Sequence, residues 1–141
     1  MDKTTKSPDA YLAAAPDEYR DDLFTIDSLL VESMPGRSRT LWEGVFWGGT
    51  EQTIIGYGDL TQPRPNGESV EWFIIGLSRQ KAHTSLYVNA VEDGQYLGAI
   101  YGPKLGKVKL GAASIGIKRL EHVDLDVLAL LASHAHRISP Q

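Results

Sequence analysis

The spacing of apolar residues divides the chain into a helical beginning, a strand-rich middle and a helical end. In residues 16–34 apolar side chains recur at intervals of three and four, which is the period of an amphipathic α-helix. A shorter helix is predicted before it, with Ser7 or Asp9 as its candidate cap. Pro16 suits the first turn of the second helix. The predicted core stripe of the second helix is Tyr19, Leu23, Ile26, Leu30 and Met34.

Between residues 39 and 89 the pattern changes to short aromatic and β-branched runs separated by glycine, proline and asparagine. The predicted strands are RTLWEGVFW, QTIIGYGDL, VEWFIIGLS and TSLYVN. Both alternate faces of EWFIIGL are apolar, so this strand is expected at the centre of a sheet that is covered on both sides. The segment TQPRPNGES is expected to be an exposed loop, because its prolines exclude a central strand.

The last third of the chain supplies a strand and a closing helix. AASIGIKRL is predicted to be the final strand, and Asp124 is the expected N-cap of an amphipathic helix in LDVLALLASHAHR. VEDGQYLGAIYG is ambiguous, with a short helical turn as one alternative. The order predicts the α+β class, an antiparallel β-sheet flanked by N-terminal helices and a C-terminal helix. We expect one domain at residues 9–138 after a flexible N-terminus at residues 1–8.

Composition excludes several classes of protein. The chain has 141 residues and no cysteine, so disulfides, thiolate metal sites and thiol nucleophiles are absent from it. The first ten residues lack the apolar core of a signal peptide, and no apolar run reaches the roughly 18 residues of a membrane span. We therefore expect a cytoplasmic protein that does not enter a membrane.

Charge is unevenly distributed. The net charge of −4 argues against nucleic acid as a partner. Nevertheless, the segment from Lys104 to Arg119 holds five cations and no acid, among them Lys107 and Lys109. One hypothesis is a basic hairpin that binds an anion or an acidic protein partner. The alternative is an edge strand whose lysines deter aggregation.

No motif predicts an enzyme, because the chain has neither a nucleotide-binding fingerprint nor a serine elbow that leads into a helix. A small-molecule site is the other possibility. Alternation places His83 on one side of its strand with Ser85 and Tyr87, where it could bind a ligand together with Glu43. The alternatives are a structural histidine and a core role for the strand aromatics, which are Trp42, Trp47, Trp72, Tyr57 and Phe73.

A metal site is a further hypothesis. Asp17, Asp21 and Asp22 lie in the first turns of the second helix and could form a weak, hydrated site for Fe²⁺. The alternative is compensation of the helix dipole on a solvated face. His134 and His136 are two residues apart, so a helix directs them to different sides, and we expect both at a frayed helix end.

Three segments resemble the YdhG-like family, also called domain of unknown function 1801. They are DAYLAAAPDEYRDDLFTIDSLLVES, KAHTSLYV and GKVKLGAASIGIKRLEHVDLDVLALL. At LWEGVFWGG the chain departs from the glycine-methionine-proline turn of many members. The resemblance implies a small cytosolic α+β domain without a known catalytic centre. One branch of the family is similar to frataxin-like iron chaperones, which implies iron delivery as an inherited hypothesis.

Overall fold

The computed structural model of the protein describes residues 1–45 and 49–140. Within these ranges the chain forms eleven strands and four α-helices, which confirms the predicted α+β class. The strands are β1 (Asp2–Lys3), β2 (Arg39–Val45), β3 (Glu51–Tyr57), β4 (Leu60–Pro63), β5 (Ser69–Trp72), β6 (Ile75–Arg79), β7 (Thr84–Val88), β8 (Val91–Glu92), β9 (Gln95–Tyr96), β10 (Lys109–Leu110) and β11 (Ser114–Ile117). The helices are α1 (Pro8–Ala13), α2 (Asp17–Ser33), α3 (Leu97–Leu105) and α4 (Leu125–Ile138).

Seven of the strands in the described ranges form one antiparallel sheet in the order β1-β2-β3-β6-β7-β11-β10. All four helices pack against one side of it, which we call the helical face. The other side is called the outer face. One row of paired residues crosses the helical face and is fully buried in the main core, and it consists of Leu41, Ile55, Leu77, Leu86 and Ile115.

The helix predictions are confirmed in detail. Leu23, Ile26 and Leu30 are buried, Met34 is buried just beyond the helix end, and Tyr19 is half-buried. The predicted caps also form, because the Ser7 hydroxyl accepts from the Ala10 amide at 3.1 Å. The Asp124 carboxylate accepts from the amides of Asp126 and Val127 at 3.0 and 3.2 Å. Each bond satisfies a donor that the first helical turn leaves free.

A buried carboxylate joins α2 to the sheet. Asp27 is 7% exposed, and Arg39 of β2 donates to its two oxygens at 2.9 and 3.0 Å. The Tyr57 hydroxyl donates to the same carboxylate at 2.6 Å, and Arg39 reaches Asp9 at 2.8 Å. Burial lowers the pKa of Arg39, but its bonds to Asp27 and Asp9 outweigh burial and raise that pKa overall. Burial raises the pKa of Tyr57, and the neighbouring Asp27 charge adds to this effect.

The predicted strand VEWFIIGLS is wrong as a single element. It divides at Phe73 and Ile74 into β5, which pairs with β4, and β6, which lies at the centre of the large sheet. Phe73 fills space on the outer face above Gly56 and Gly76, where a Cβ would meet neighbouring side chains too closely. Ile75 lies in the main core instead, so Phe73 and Ile75 serve opposite faces.

Three other segments also differ from expectation. TQPRPNGES is only partly a loop, since its ends belong to the two-stranded hairpin β4–β5. VEDGQYLGAIYG forms the hairpin β8–β9 and most of α3, with Asp93 and Gly94 at positive φ in the turn. Residues 1–8, expected to be flexible, include β1, which pairs with Trp42 and Glu43 of β2. In the described part of the chain no helix is long and apolar enough to cross a membrane.

The buried Tyr57 generates a prediction about alkaline stability. Above about pH 10 an unfolded tyrosine loses its proton, whereas the raised pKa of Tyr57 keeps the folded side chain protonated. The unfolded state then binds fewer protons, so stability should fall by up to about 1.4 kcal/mol per pH unit. Urea denaturation of wild type and Tyr57→Phe between pH 8 and pH 11.5 measures this. The stability advantage of wild type should shrink above pH 10, and an advantage that stays constant with pH would contradict the assignment.

Candidate functional site

A cavity of about 320 Å³ lies on the outer face, where β7, β11 and β10 run side by side. We call it the outer-face cavity. The strand register brings Ser85, Gly116 and Lys109 into one row across these three strands. The polar side chains that line the cavity are His83, Ser85, Lys109, Ser114 and Lys118. Residues that are 35 positions apart in sequence therefore meet at one place.

His83 enters the cavity from the turn before β7. The Gln80 amide donates to the His83 carbonyl at 2.8 Å, which closes the turn between β6 and β7. Leu86 and Val88 lie in the main core, whereas His83 and Ser85 line the outer-face cavity, so the predicted alternation is confirmed. Within the described residues the imidazole has no hydrogen-bond partner, and the expected bond to a backbone carbonyl at the strand end is absent there.

Gly116 forms the floor between the two basic groups. A Cβ at this position would lie 3.5 Å from Cδ2 of His83 and 3.6 Å from Cβ of Lys109. His83 and Lys109 therefore stand on either side of the glycine, and the missing side chain leaves room between them. The Gly116 backbone has ordinary strand geometry, so the open floor does not depend on a strained conformation.

Two hydroxyls complete the cavity. Ser85 is only 6% exposed and Ser114 is half-buried, and neither hydroxyl has a hydrogen-bond partner within residues 1–45 and 49–140. Neither oxygen is one of the fully buried unpaired atoms among the described residues, so each can bond to water or to a ligand in the cavity. No carboxylate is among the described lining residues, which present two ammonium groups and an imidazole. Chemically, the arrangement can accept a small anion.

The cation-rich segment does not form one continuous surface. Lys104 lies in the last turn of α3, Lys107 lies in the following turn, and Lys109 lies in β10 at the edge of the sheet. Lys118, which also lines the outer-face cavity, borders a second groove together with Arg119, and this groove contains three acids, which are Glu18, Asp22 and Glu121. In the folded chain these acids therefore lie close to two of the five cations, which the sequence alone does not show. Among Lys104, Lys107 and Lys109, which were predicted to bind an anion or an acidic partner, only Lys109 lines the outer-face cavity.

Glu43 and Tyr87 do not join His83 at the cavity. The Glu43 carboxylate pairs with Lys6 at 2.9 Å and lines a different groove with Glu51 and Arg79. The Tyr87 hydroxyl donates to the Gln52 side chain at 3.1 Å. Alternation places Tyr87 on the outer face as predicted, but the ring packs against the aromatic cluster and does not line the outer-face cavity.

The strand aromatics are core residues. Trp42, Trp72 and Phe73 form a closed cluster on the outer face with ring centroids 4.8 to 5.8 Å apart, and Phe73 and Trp72 are stacked. Tyr57 lies in the main core. Trp47 lies outside the described residues. The cluster is buried by the β4–β5 hairpin, so it offers no open surface to a ligand.

The helical acids are dispersed. Asp17 is 93% exposed and pairs with Arg20 at 2.9 Å, whereas Asp21 and Asp22 line two different grooves. In the described part of the chain no three histidine or acidic side chains form a group that could hold a metal ion. The iron site at these three aspartates stays a prediction.

Two histidines near the C-terminus have partners that the sequence did not indicate. His134 lies between the Tyr101 hydroxyl at 2.8 Å and the Glu92 carboxylate at 2.9 Å, so it joins α4 to α3 and to the β8–β9 hairpin. Nδ1 of His136 accepts from Arg37 at 3.0 Å, and Arg37 also donates to three carbonyls at the end of α4. The expectation of a frayed helix end is therefore wrong. The partners are 33 to 99 residues away, which local sequence patterns do not reveal.

Comparison of the chain with protein-family models gave no match. Searches against curated proteins and against solved structures also gave none. The functional argument therefore depends on the residues and their geometry alone.

The iron hypothesis has a direct test. It predicts weak binding of Fe²⁺ at the helical acids, because exposed carboxylates bind hard cations loosely when no cage holds them. Anaerobic titration of wild type should then show binding that is lost in a variant with Asp17, Asp21 and Asp22 changed to asparagine. Equal binding by this variant, or no binding by wild type, removes the hypothesis.

Proposed function

We propose that the protein binds a small anionic ligand in the outer-face cavity and does not act on it chemically. The observation that carries this proposal is the row Ser85, Gly116 and Lys109, with His83 beside it. The glycine opens a space between two basic side chains, and the Ser85 hydroxyl, which has no hydrogen-bond partner among the described residues, lies next to it. A bound anion would accept hydrogen bonds from the hydroxyls and charge-assisted hydrogen bonds from the cations there.

Size and charge define the class of ligand. A cavity of about 320 Å³ is at the small end of the range for metabolite sites, which suits a phosphate or a carboxylate on a compact molecule. The net charge of −4 opposes the approach of long polyanions at a distance. At short range Lys109 and Lys118 attract an anion where they line the cavity. Compact anions are therefore favoured over extended nucleic acid.

Binding is favoured over catalysis by the composition of the cavity. A general base of the serine-histidine type needs a carboxylate or similar group to orient the imidazole. Among the described residues that line the cavity no acid is present to orient His83. The two serines also lie in β-strands and not in a strained turn that would expose a nucleophile.

A second candidate function is recognition of an acidic protein partner at the β10 edge. This edge is exposed, its last residue Leu110 is 44% exposed, and Lys107 and Lys109 are exposed beside it. The same lysines would protect an open edge against pairing with another chain.

The proposal also includes a cellular location and a family. The lack of cysteine suits a reducing cytoplasm. The three segments quoted above support membership of the YdhG-like family, and the α+β architecture agrees with the fold that this resemblance implies.

The ligand class can be tested by isothermal titration calorimetry with inorganic phosphate and pyrophosphate. Gly116→Val places a side chain on the cavity floor, and Lys109→Ser removes one cation. Each should weaken binding by about tenfold or more, because charge-assisted hydrogen bonds contribute about 1.5 to 3 kcal/mol. Lys107→Ser is the matched control, since Lys107 is exposed and does not line the cavity. It should change affinity by less than about twofold.

The same variants separate the two candidate functions from edge protection. Loss of phosphate binding in Gly116→Val with unchanged solubility supports the cavity. If both lysine variants aggregate while phosphate affinity stays at the wild-type value, the lysines protect the edge and the cavity proposal is wrong. Wild-type protein that binds neither anion at millimolar concentration would also contradict it.

A further inference from the structure

A second cavity lies away from the outer-face cavity, where three peripheral elements meet. It has a volume of about 530 Å³ and is enclosed by the β4–β5 hairpin, the β8–β9 hairpin and the end of α4. We call it the Asn89 cleft, after the polar residue at the end of β7 that lines it. Its apolar walls include Leu60, Val91 and Ile138. The volume suits a molecule of about the size of a nucleoside or a drug.

Asn89 lines the cleft, and its side-chain amide is held in place on one side. This residue is 2% exposed, and its side-chain nitrogen donates to the Phe73 carbonyl at 2.9 Å. Only the amide nitrogen can donate to a carbonyl, so that bond turns the amide oxygen away from Phe73. Within the described residues this oxygen has no hydrogen-bond partner. A ligand N–H or O–H that reaches it would satisfy a nearly buried polar group.

A cation and an aromatic ring complete the cleft. Arg64 lies in the exposed turn after β4, and its guanidinium makes no ion pair with any described residue. Tyr96 of β9 is half-buried and contributes a ring to the wall. Ser139, which is 6% exposed, adds a hydroxyl without a partner in the described part of the chain. The cleft therefore combines apolar walls, an inner acceptor and an outer positive charge.

We propose that the Asn89 cleft is a second binding site, for a small aromatic anion that carries a hydrogen-bond donor. The flat body lies between Tyr96 and the apolar walls, the donor meets the Asn89 oxygen, and the acidic group faces Arg64. The Asn89 cleft shares no lining residue with the outer-face cavity, so binding at one site can be distinguished from binding at the other.

Two related fluorescent probes test this assignment. 6-Anilinonaphthalene-2-sulfonate has an aromatic body, one N–H donor and, at the opposite end of the naphthalene, one sulfonate, and N-phenyl-2-naphthylamine is the same molecule without the sulfonate. Both should bind folded wild-type protein with a single saturable site. Backbone amide signals of Ala90, Val91 and Ser139 should shift on addition of either probe, while those of residues 83–85 and 114–116 should not.

Substitutions in the Asn89 cleft test how much individual lining residues contribute to probe affinity. Val91 is 47% exposed, so Val91→Trp can extend into the cleft without disturbing the core, and it should weaken both probes at least tenfold. Arg64→Gln should weaken the sulfonate probe by about threefold to tenfold and change the neutral probe by less than twofold. Lys107→Gln is the control for loss of an exposed cation elsewhere and should affect neither probe.

The outcomes decide between this site and its alternatives. Equal affinities of wild type and Val91→Trp for both probes would overturn the proposal, as would equal loss of the two probes in Arg64→Gln. Displacement of the probes by inorganic phosphate, or their loss in Gly116→Val, would place them in the outer-face cavity and would also overturn it. Retention in Gly116→Val with loss in Val91→Trp supports the Asn89 cleft whether or not phosphate binds elsewhere.

Discussion

Asp27 brings a carboxylate into the interface between α2 and the sheet, and the position of the neighbouring elements follows from how that charge is satisfied. Arg39 and Tyr57 hold it from two adjacent strands, and Arg39 also reaches Asp9 in α1. The Arg39 guanidinium thus joins two helices to β2, and the Tyr57 hydroxyl joins α2 to β3. Removal of one partner would leave a buried charge uncompensated, which typically costs about 3 to 5 kcal/mol. The interaction therefore fixes the arrangement more than it adds net stability.

With the helical face fixed in this way, three glycines determine what the outer face can do. Gly56 and Gly76 lie beneath Trp42, Ile54 and Phe73, whose side chains occupy the space that a Cβ would need. Gly116 has only His83 and Lys109 at ordinary contact distance. Glycine therefore makes room for a closed aromatic core on one half of the outer face and for an open cavity beside two basic side chains on the other half. The third glycine carries the functional argument because nothing in the described structure fills its place.

The sequence predicted the elements whose signals are local. The α2 stripe, the caps at Ser7 and Asp124 and the alternation around His83 are confirmed, because each depends on residues only a few positions apart. The division at Phe73 was not predictable in this way, since the ring also occupies the space above Gly56, which lies in β3. Glu43 and His83 were grouped by residue type alone, and the strand order separates them. By contrast, the β8–β9 hairpin has a local signal, because an Asp-Gly pair such as Asp93 and Gly94 is typical of a two-residue hairpin turn.

The order of the strands also predicts when the outer-face cavity forms during folding. β2 and β3 are consecutive in the chain, and so are β6 and β7, so each pair can close a short loop early. β11 pairs with β7 across residues 84–117, with the β8–β9 hairpin and α3 between them. That pairing closes a longer loop and carries a greater entropic cost. We therefore expect His83 to be in place before Gly116 and Lys109 reach it. Partly folded chains would then expose the open edge of β7 before any ligand site exists.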